Sequence, residues 1–213
     1  MEFLPEHIAR YTENHTQPES AVLAELKRNT QAKVLQPRML SGHLQGRILS
    51  MLSRMVRPHR ILEIGTYTGY SAICLAEGLS DKGLLHTIDH NEELEDMARH
   101  YFAKAGYEHQ IKLHIGEALK IIPTLREKWD MVFIDADKEN YLNYYNLLME
   151  NMPQGAYLIA DNVLWSGKVT EAAAEKDVET RALQAFNEKL QNDDRVENLM
   201  LPVRDGLMVA RVK

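Results

Sequence analysis

The residues best placed to do chemistry are two acidic groups, each closing an apolar run. Met131–Asn140 reads MVFIDADKEN, where four apolar residues give way to Asp135, Asp137, Lys138 and Glu139. Further on, LIADNVLWSG brings Asp161 and Asn162 after a second apolar run. Apolar runs without alternation suit strands buried on both faces of a parallel sheet. Open α/β sheets bind their ligands just beyond the carboxyl ends of such strands. If the two strands are neighbours, Asp135, Asp161 and Asn162 meet as two carboxylates and an amide oxygen. That is a hard-oxygen set suited to Mg²⁺ or Ca²⁺, with positions left for water and substrate. Lys138 beside them would serve as general base if a nearby cation and partial burial favour its neutral form. Plainer readings stand beside these. Acidic residues are favoured in a helix's first turn, Asp-Asn is common in turns, and a lysine at a helix start is ordinarily solvated.

A second group follows an earlier strand. Glu63-Ile64-Gly65-Thr66-Tyr67-Thr68-Gly69-Tyr70-Ser71 links ILEIG to the helical pattern YSAICLAEGL. Glycine in such a turn lets the backbone approach a ligand closely. The spacing is G-x-x-x-G, not the dinucleotide fingerprint G-x-G-x-x-G. Glu63 would also repel a pyrophosphate seated on the helix N-terminus. Asp89, closing LLHTID, can accept hydrogen bonds from both hydroxyls of a ribose, or can instead cap the helix that follows. Gly116-Glu117-Ala118 offers a small-residue turn over which an adenine could lie. In series these features fit S-adenosylmethionine better than NAD, and they argue against an NAD-dependent dehydrogenase. Trp165 could wall an aromatic substrate, although aromatics more often simply pack.

The elements that must hold these residues are legible from periodicity. Residues 1–35 read as two helices separated at Pro18-Glu19-Ser20. After the break at Gln36-Pro37, MLSGHLQGRILSMLSRMV has the spacing of an amphipathic helix. Its stripe is Leu44, Ile48, Met51, Leu52 and Met55, with Met51 and Met55 read as core. From Arg60 onward, strands and helices alternate through AYLIAD. A last helix, DVETRALQAFNEKLQND, precedes two strand patterns paired about Arg204-Asp205-Gly206. The implied fold is a mostly parallel sheet with an antiparallel edge and helices on both faces. Without repeats or a linker, residues 1–213 read as one domain, with 1–57 a helical extension and 58–213 the cofactor-binding sheet core.

Composition sets bounds. A length of 213 residues, 45% hydrophobic and 26% charged, suits an ordinary globular domain. The net charge of −6 argues against a surface that coats nucleic acid. The N-terminal MEFLPEHIARYTENH lacks the charge and apolar pattern of a secretory leader. A single cysteine, Cys74, fits a reducing cytoplasm and a buried packing role. The nine histidines are scattered, which disfavours a histidine-rich zinc site.

Four strings, EIGTYTGYS, FIDADKENY, ADNVLWSGKV and FNEKLQNDDRVENLMLPVRDGL, occur in an order that resembles the cation-dependent O-methyltransferases of the caffeoyl-CoA and catechol type. The resemblance spans roughly residues 36–213. It implies a Rossmann-like class I methyltransferase fold, with a seven-stranded sheet and an antiparallel last strand. It assigns S-adenosylmethionine contacts to Met39, Ser41, Glu63, Gly65, Thr66, Ser71, Asp89, Ala118, Asp135 and Asp137. It assigns a divalent cation to Asp135, Asp161 and Asn162, the base to Lys138, and a homodimer as the assembly. The sequence departs from the plant members in two places. Leu44-Gln45-Gly46-Arg47 replaces an acidic D-E-G-Q-like string, and Ser166 follows the tryptophan where they carry Asn.

The expected reaction is methylation of one of two vicinal hydroxyls on a catechol-like small molecule, with Lys138 taking the proton. The rival acceptor is a hydroxylated uridine in tRNA. Lys27, Arg28, Lys33, Arg38, Arg54, Arg57 and Arg60 are its candidate phosphate contacts.

Overall fold

Five of the apolar segments form parallel strands: β1 (Arg60–Ile64), β2 (Leu84–Asp89), β3 (Ile111–Ile115), β4 (Met131–Ile134) and β5 (Tyr157–Asp161). The terminal hairpin supplies β6 (Val196–Leu201) and β7 (Leu207–Val212). These assignments come from a computed structural model that describes residues 5–213. Met1–Leu4, on which part of the leader-peptide reading rests, lie outside the described residues.

The seven strands form one sheet in the order β3-β2-β1-β4-β5-β7-β6. β7 is antiparallel to both β5 and β6, so the last strand runs as expected. It is not the edge, however. β7 fills the slot beside β5, and β6 takes the outside position, running parallel to β1–β5. A tight turn after β6 can only send β7 back along it, and β7 is the more completely buried of the two. That is the strand that belongs inside the sheet.

Alternate residues along each central strand enter opposite layers. Leu62, Ile64, Val132, Ile134, Leu158 and Ala160 pack under α7 (Tyr141–Leu148) and α8 (Val178–Gln191). Ile61, Met131, Phe133 and Ile159 pack under α2 (Ala21–Lys33) and α4 (Tyr70–Ala76). Burial on both faces explains why these strands show no polar alternation. Every residue of α4 is buried, because α3 (Gly42–Val56) covers the side that the sheet does not.

The α3 packing corrects one expectation. Met51 and Met55 are 60% and 75% exposed, while the buried face is Gln45, Gly46, Leu49, Ser50 and Ser53. Small residues decide this. A Cβ on Gly46 would lie 2.6 Å from the Tyr70 ring and 2.8 Å from Cys74 Sγ. α3 and α4 therefore approach backbone to backbone along the small stripe, which turns the methionines outward. Cys74 is buried at this contact, as expected.

α1 (Glu6–Asn14) and α2 confirm the two N-terminal helices within the described residues. The helix expected from Asn91 instead begins with a 3₁₀ turn over Glu92–Leu94 and continues as α5 (Glu95–Lys104). The turn's cap is Asn91, whose side chain accepts the Glu93 N–H, so Asp89 does not act as the cap. α6 (Ala118–Leu125) completes the set.

Candidate active site

β1 winds outward to β2 and β3, whereas β4 and β5 lie on its other side, so the sheet switches direction between β1 and β4. Loops at the carboxyl ends diverge at such a point and leave a crevice. Here the crevice is a cavity of about 2090 Å³. Small-molecule pockets usually span roughly 300–1,000 Å³, so the space admits two reactants. Gly65 lies at the switch with φ +104°, and a Cβ there would stand 1.9 Å from the Asp135 carbonyl oxygen. Only glycine lets the turn after β1 lie against the exit of β4.

Met39, Ser41, Gly65, Thr66, Ser71, Asp89, Ala118, Asp135, Asp137, Lys138, Asp161 and Asn162 all line this cavity. Glu63 does not. Its side chain is fully buried behind the wall, reached by a chain of hydroxyls. Thr66 Oγ1 lies 2.5 Å from Thr87 Oγ1, and Thr87 Oγ1 donates to Glu63 Oε2 at 2.6 Å. Burial pushes the Glu63 carboxyl up to about 8, against the hydroxyls of Ser71 and Thr87, which favour the carboxylate. Its Oε1 has no hydrogen-bond partner among the described residues. A buried carboxylate atom left unmatched next to a cavity suits a ligand with a positive portion.

Asp89 accepts the Tyr67 N–H on Oδ2 at 2.7 Å and the Asn91 N–H on Oδ1 at 2.9 Å. Both bonds come from the backbone, which fixes the carboxylate while each oxygen keeps a lone pair for a diol. Ala118 opens α6 beside Gly116, where φ +144° requires glycine. Asp137 accepts the Tyr144 hydroxyl at 2.6 Å and is also bonded by the Asn140 amide. Together these residues supply a fixed carboxylate able to accept from a diol, a small-residue turn, and a buried carboxyl behind the wall.

The acidic half follows from the β4–β5 register. Ile134 pairs with Ala160, so Asp135 and Asp161 are the next residues out on adjacent strands. Asp161 is 4% exposed. Burial, then repulsion from Asp135, pushes its carboxyl up to about 7. Its Oδ2 accepts from Gln45 Nε2 at 2.6 Å, and its Oδ1 accepts the Asn162 N–H at 2.8 Å. Asn162 takes a left-handed φ of +61° as the chain leaves β5.

Lys138 is 7% exposed. Its Nζ donates to Asp135 Oδ1 at 3.2 Å and to the Tyr141 hydroxyl at 2.6 Å, and lies 5.9 Å from the centre of the Trp165 ring. Tyr141 in turn donates towards the carbonyls of Asp161 (3.0 Å) and Ile134 (3.3 Å), and so ties the two strand ends together. The donor set fits a divalent cation. Two facing carboxylates, one nearly enclosed, are stabilised by a shared positive charge, and Asn162 adds a neutral oxygen of the same hard type.

Three members of this cluster escaped the sequence reading. Gln45 stood in a helix read for its apolar stripe, and Arg204 stood in what read only as a hairpin turn. Tyr141 carried no assigned role, although a buried tyrosine usually finds a partner for its hydroxyl. Its position three residues after Lys138, one helical turn away, was the available signal.

The fold is that of a Rossmann-like methyltransferase. The chain belongs to the O-methyltransferase family, whose model matches residues 13–213. It is 34% identical over 178 residues to caffeoyl-CoA O-methyltransferase 2 of Populus trichocarpa, covering 78% of this chain and 72% of that one. An O-methyltransferase from Bacillus cereus, solved in complex with SAH, superposes with a TM-score of 0.90 at 30% identity, covering 97% of each chain. An O-methyltransferase of Streptomyces achromogenes involved in tomaymycin synthesis, solved in complex with SAM, superposes with a TM-score of 0.89 at 30% identity, covering 97% of this chain and 96% of that one.

Proposed function

We propose that this O-methyltransferase uses S-adenosylmethionine and a divalent cation, Mg²⁺ or Ca²⁺, to methylate one of two vicinal hydroxyls on a catechol-like small molecule. The observation that carries the reading is the Asp135–Asp161–Asn162 cluster with Lys138, in the cavity that Asp89 and Thr66 also line. S-adenosylmethionine would be held by Asp89 at its ribose and by the Ala118 turn at its adenine, with Asp137 and the buried carboxyl of Glu63 towards its cationic end. Asp135, Asp161 and Asn162 would hold the cation. When bound there, it supplies Lewis acidity that favours the ionised form of a hydroxyl held against it.

The chain's own groups do the rest. Lys138 accepts the hydroxyl proton, with its Nζ aimed by Asp135 and Tyr141. Trp165 walls the acceptor side, packed over Lys138. Fixing two reactants in line is worth up to roughly 7–11 kcal/mol when the geometry is ideal. Among the candidate tRNA contacts, Lys27, Arg54 and Arg60 are engaged by Glu19, Glu77 and Glu127, which favours the small acceptor. A homodimer is part of the proposal. The outward apolar face of α3 adjoins a groove lined by Leu52, Met55, Val56, Tyr157 and Val209, a natural seat for a second copy.

The test is a set of diphenol isomers offered with a labelled methyl donor. Methylation of 1,2-diphenols with little on 1,3-diphenols or monophenols is expected. Equal rates on all three would contradict recognition of a vicinal pair.

A further inference from the structure

Asp161 is held from behind by Gln45, which does not line the cavity, and Gln45 is held in turn by Arg204 on the cavity wall. Gln45, on α3, is 1% exposed and donates from Nε2 to Asp161 Oδ2 at 2.6 Å. Its other end is also engaged. Arg204 Nη1, from the turn between β6 and β7, donates to Gln45 Oε1 at 2.7 Å. The two bonds fix the amide's orientation, since reversing it would set an oxygen against the carboxylate and an NH₂ against the guanidinium. Three distant parts of the chain thus converge on one carboxylate oxygen.

The order of groups matters. An arginine bonded directly to Asp161 would neutralise it and compete with any cation for its oxygens. With a neutral amide between them, orientation is transmitted and no fixed cation occupies the carboxylate's oxygens. The same turn braces the loop that leaves β5. Asp205 accepts the Leu164 N–H on its carbonyl at 2.9 Å and the Ser166 N–H on Oδ1 at 2.5 Å, while Gly206 O accepts the Val163 N–H at 3.2 Å. That loop carries Asn162 and Trp165.

We propose that Gln45 and Arg204 are positioning residues for the cation site: Gln45 aims Asp161, and Arg204 aims Gln45. The proposal rests on the divalent-cation reading given above. Groups behind a metal ligand typically change metal affinity by about 10–100-fold when removed.

The experiment is calorimetric titration of the full-length protein with Mn²⁺, and separately with S-adenosylhomocysteine. Wild type is compared with Gln45→Met, which keeps the volume and loses both bonds, with Arg204→Met at the exposed end, and with the double variant. Gln45→Met should weaken Mn²⁺ about 10–100-fold and leave S-adenosylhomocysteine affinity unchanged. Arg204→Met should act in the same direction by a smaller factor. The double variant should be no weaker than Gln45→Met, because Arg204 acts through the amide. Arg204→Met keeps the question open to measurement should Gln45→Met fail to fold. If wild type binds Mn²⁺ and Arg204→Met or a folded Gln45→Met binds it equally well, the positioning role is overturned. Equal losses for both ligands would assign these residues a purely structural part and overturn it too. If wild type binds no Mn²⁺, the cation reading itself falls and takes this proposal with it.

Discussion

At the residue scale the site depends on groups that hold one another. Lys138 is nearly enclosed, and its Nζ donates to both Asp135 and the Tyr141 hydroxyl. A flexible side chain with two fixed partners has one productive direction. Lys138→Ala should lower kcat by about 10²–10⁴-fold, the usual worth of a positioned base, with little change in cofactor Kd. A loss of cofactor affinity with kcat preserved would make Lys138 a binding residue instead. Tyr141→Phe removes a buried hydroxyl that serves Lys138 and both strand ends. It should destabilise the protein by about 1–3 kcal/mol and reduce kcat as well, measured by thermal melts beside initial rates.

Much of this was legible in the sequence because the relevant residues sit where chain direction forces them. An acid just after a buried strand must lie at the sheet's head, so Asp89, Asp135 and Asp161 were found. Gln45 and Arg204 were not, because neither position nor residue type marks a buried amide between a carboxylate and a guanidinium. Only the tertiary fold brings α3 and the β6–β7 turn together.

At the scale of elements, the α3–α4 contact shows how a periodic stripe can mislead. Leu44, Ile48, Met51, Leu52 and Met55 have helical spacing, yet the close contact follows Gly46, Ser50 and Ser53. Backbone approach, not apolar area, sets the face. The β2–β3 pair carries a different device. His86 on β2 and His114 on β3 stack with Nδ1 and Nε2 3.0 Å apart, beside the edge of Trp129. Burial, then the charge of His114, pushes His86 down to about 4, and burial lowers His114 as well. Between the ordinary histidine value and about 4, the unfolded chain takes up protons that the folded chain refuses. Stability from this pair is therefore complete above neutral pH and is lost as the pH falls through that window. Melting temperatures of wild type should drop from pH 7.5 to 5 more steeply than those of His86→Gln. The effect for His86 is about 1 kcal/mol once solvent screening is discounted. Parallel slopes for the two proteins would rule the pair out as a source of acid sensitivity.

For the whole molecule, strand order explains both the cavity and the placement of charge. Switching direction between β1 and β4 sets the glycine turn against Asp135, so the glycine turn with Asp89 and the acidic pair share one space. Alternation of strands and helices forecast the parallel sheet. It could not forecast that β7 would enter beside β5, because a hairpin's local pattern is the same on an edge or inside it. Among the described residues no helix is long and apolar enough to cross a membrane. Met55 lines the groove proposed for a second copy, and Met51 is exposed on the same helix. Sedimentation should find a dimer for wild type and a monomer for the Met51→Lys, Met55→Lys double variant. A wild-type monomer, or an unshifted variant, would remove this face from consideration.

The central claim is that the Asp135–Asp161–Asn162 cluster works by holding a divalent cation. Its most direct test is methyl transfer to a 1,2-diphenol after the enzyme is stripped with EDTA, and again after Mg²⁺ or Ca²⁺ is restored. Asp161→Ala is run beside wild type. Activity should collapse on stripping and return with the cation in wild type, while Asp161→Ala should stay inactive throughout. Undiminished turnover in the stripped enzyme, or in Asp161→Ala, would contradict the account.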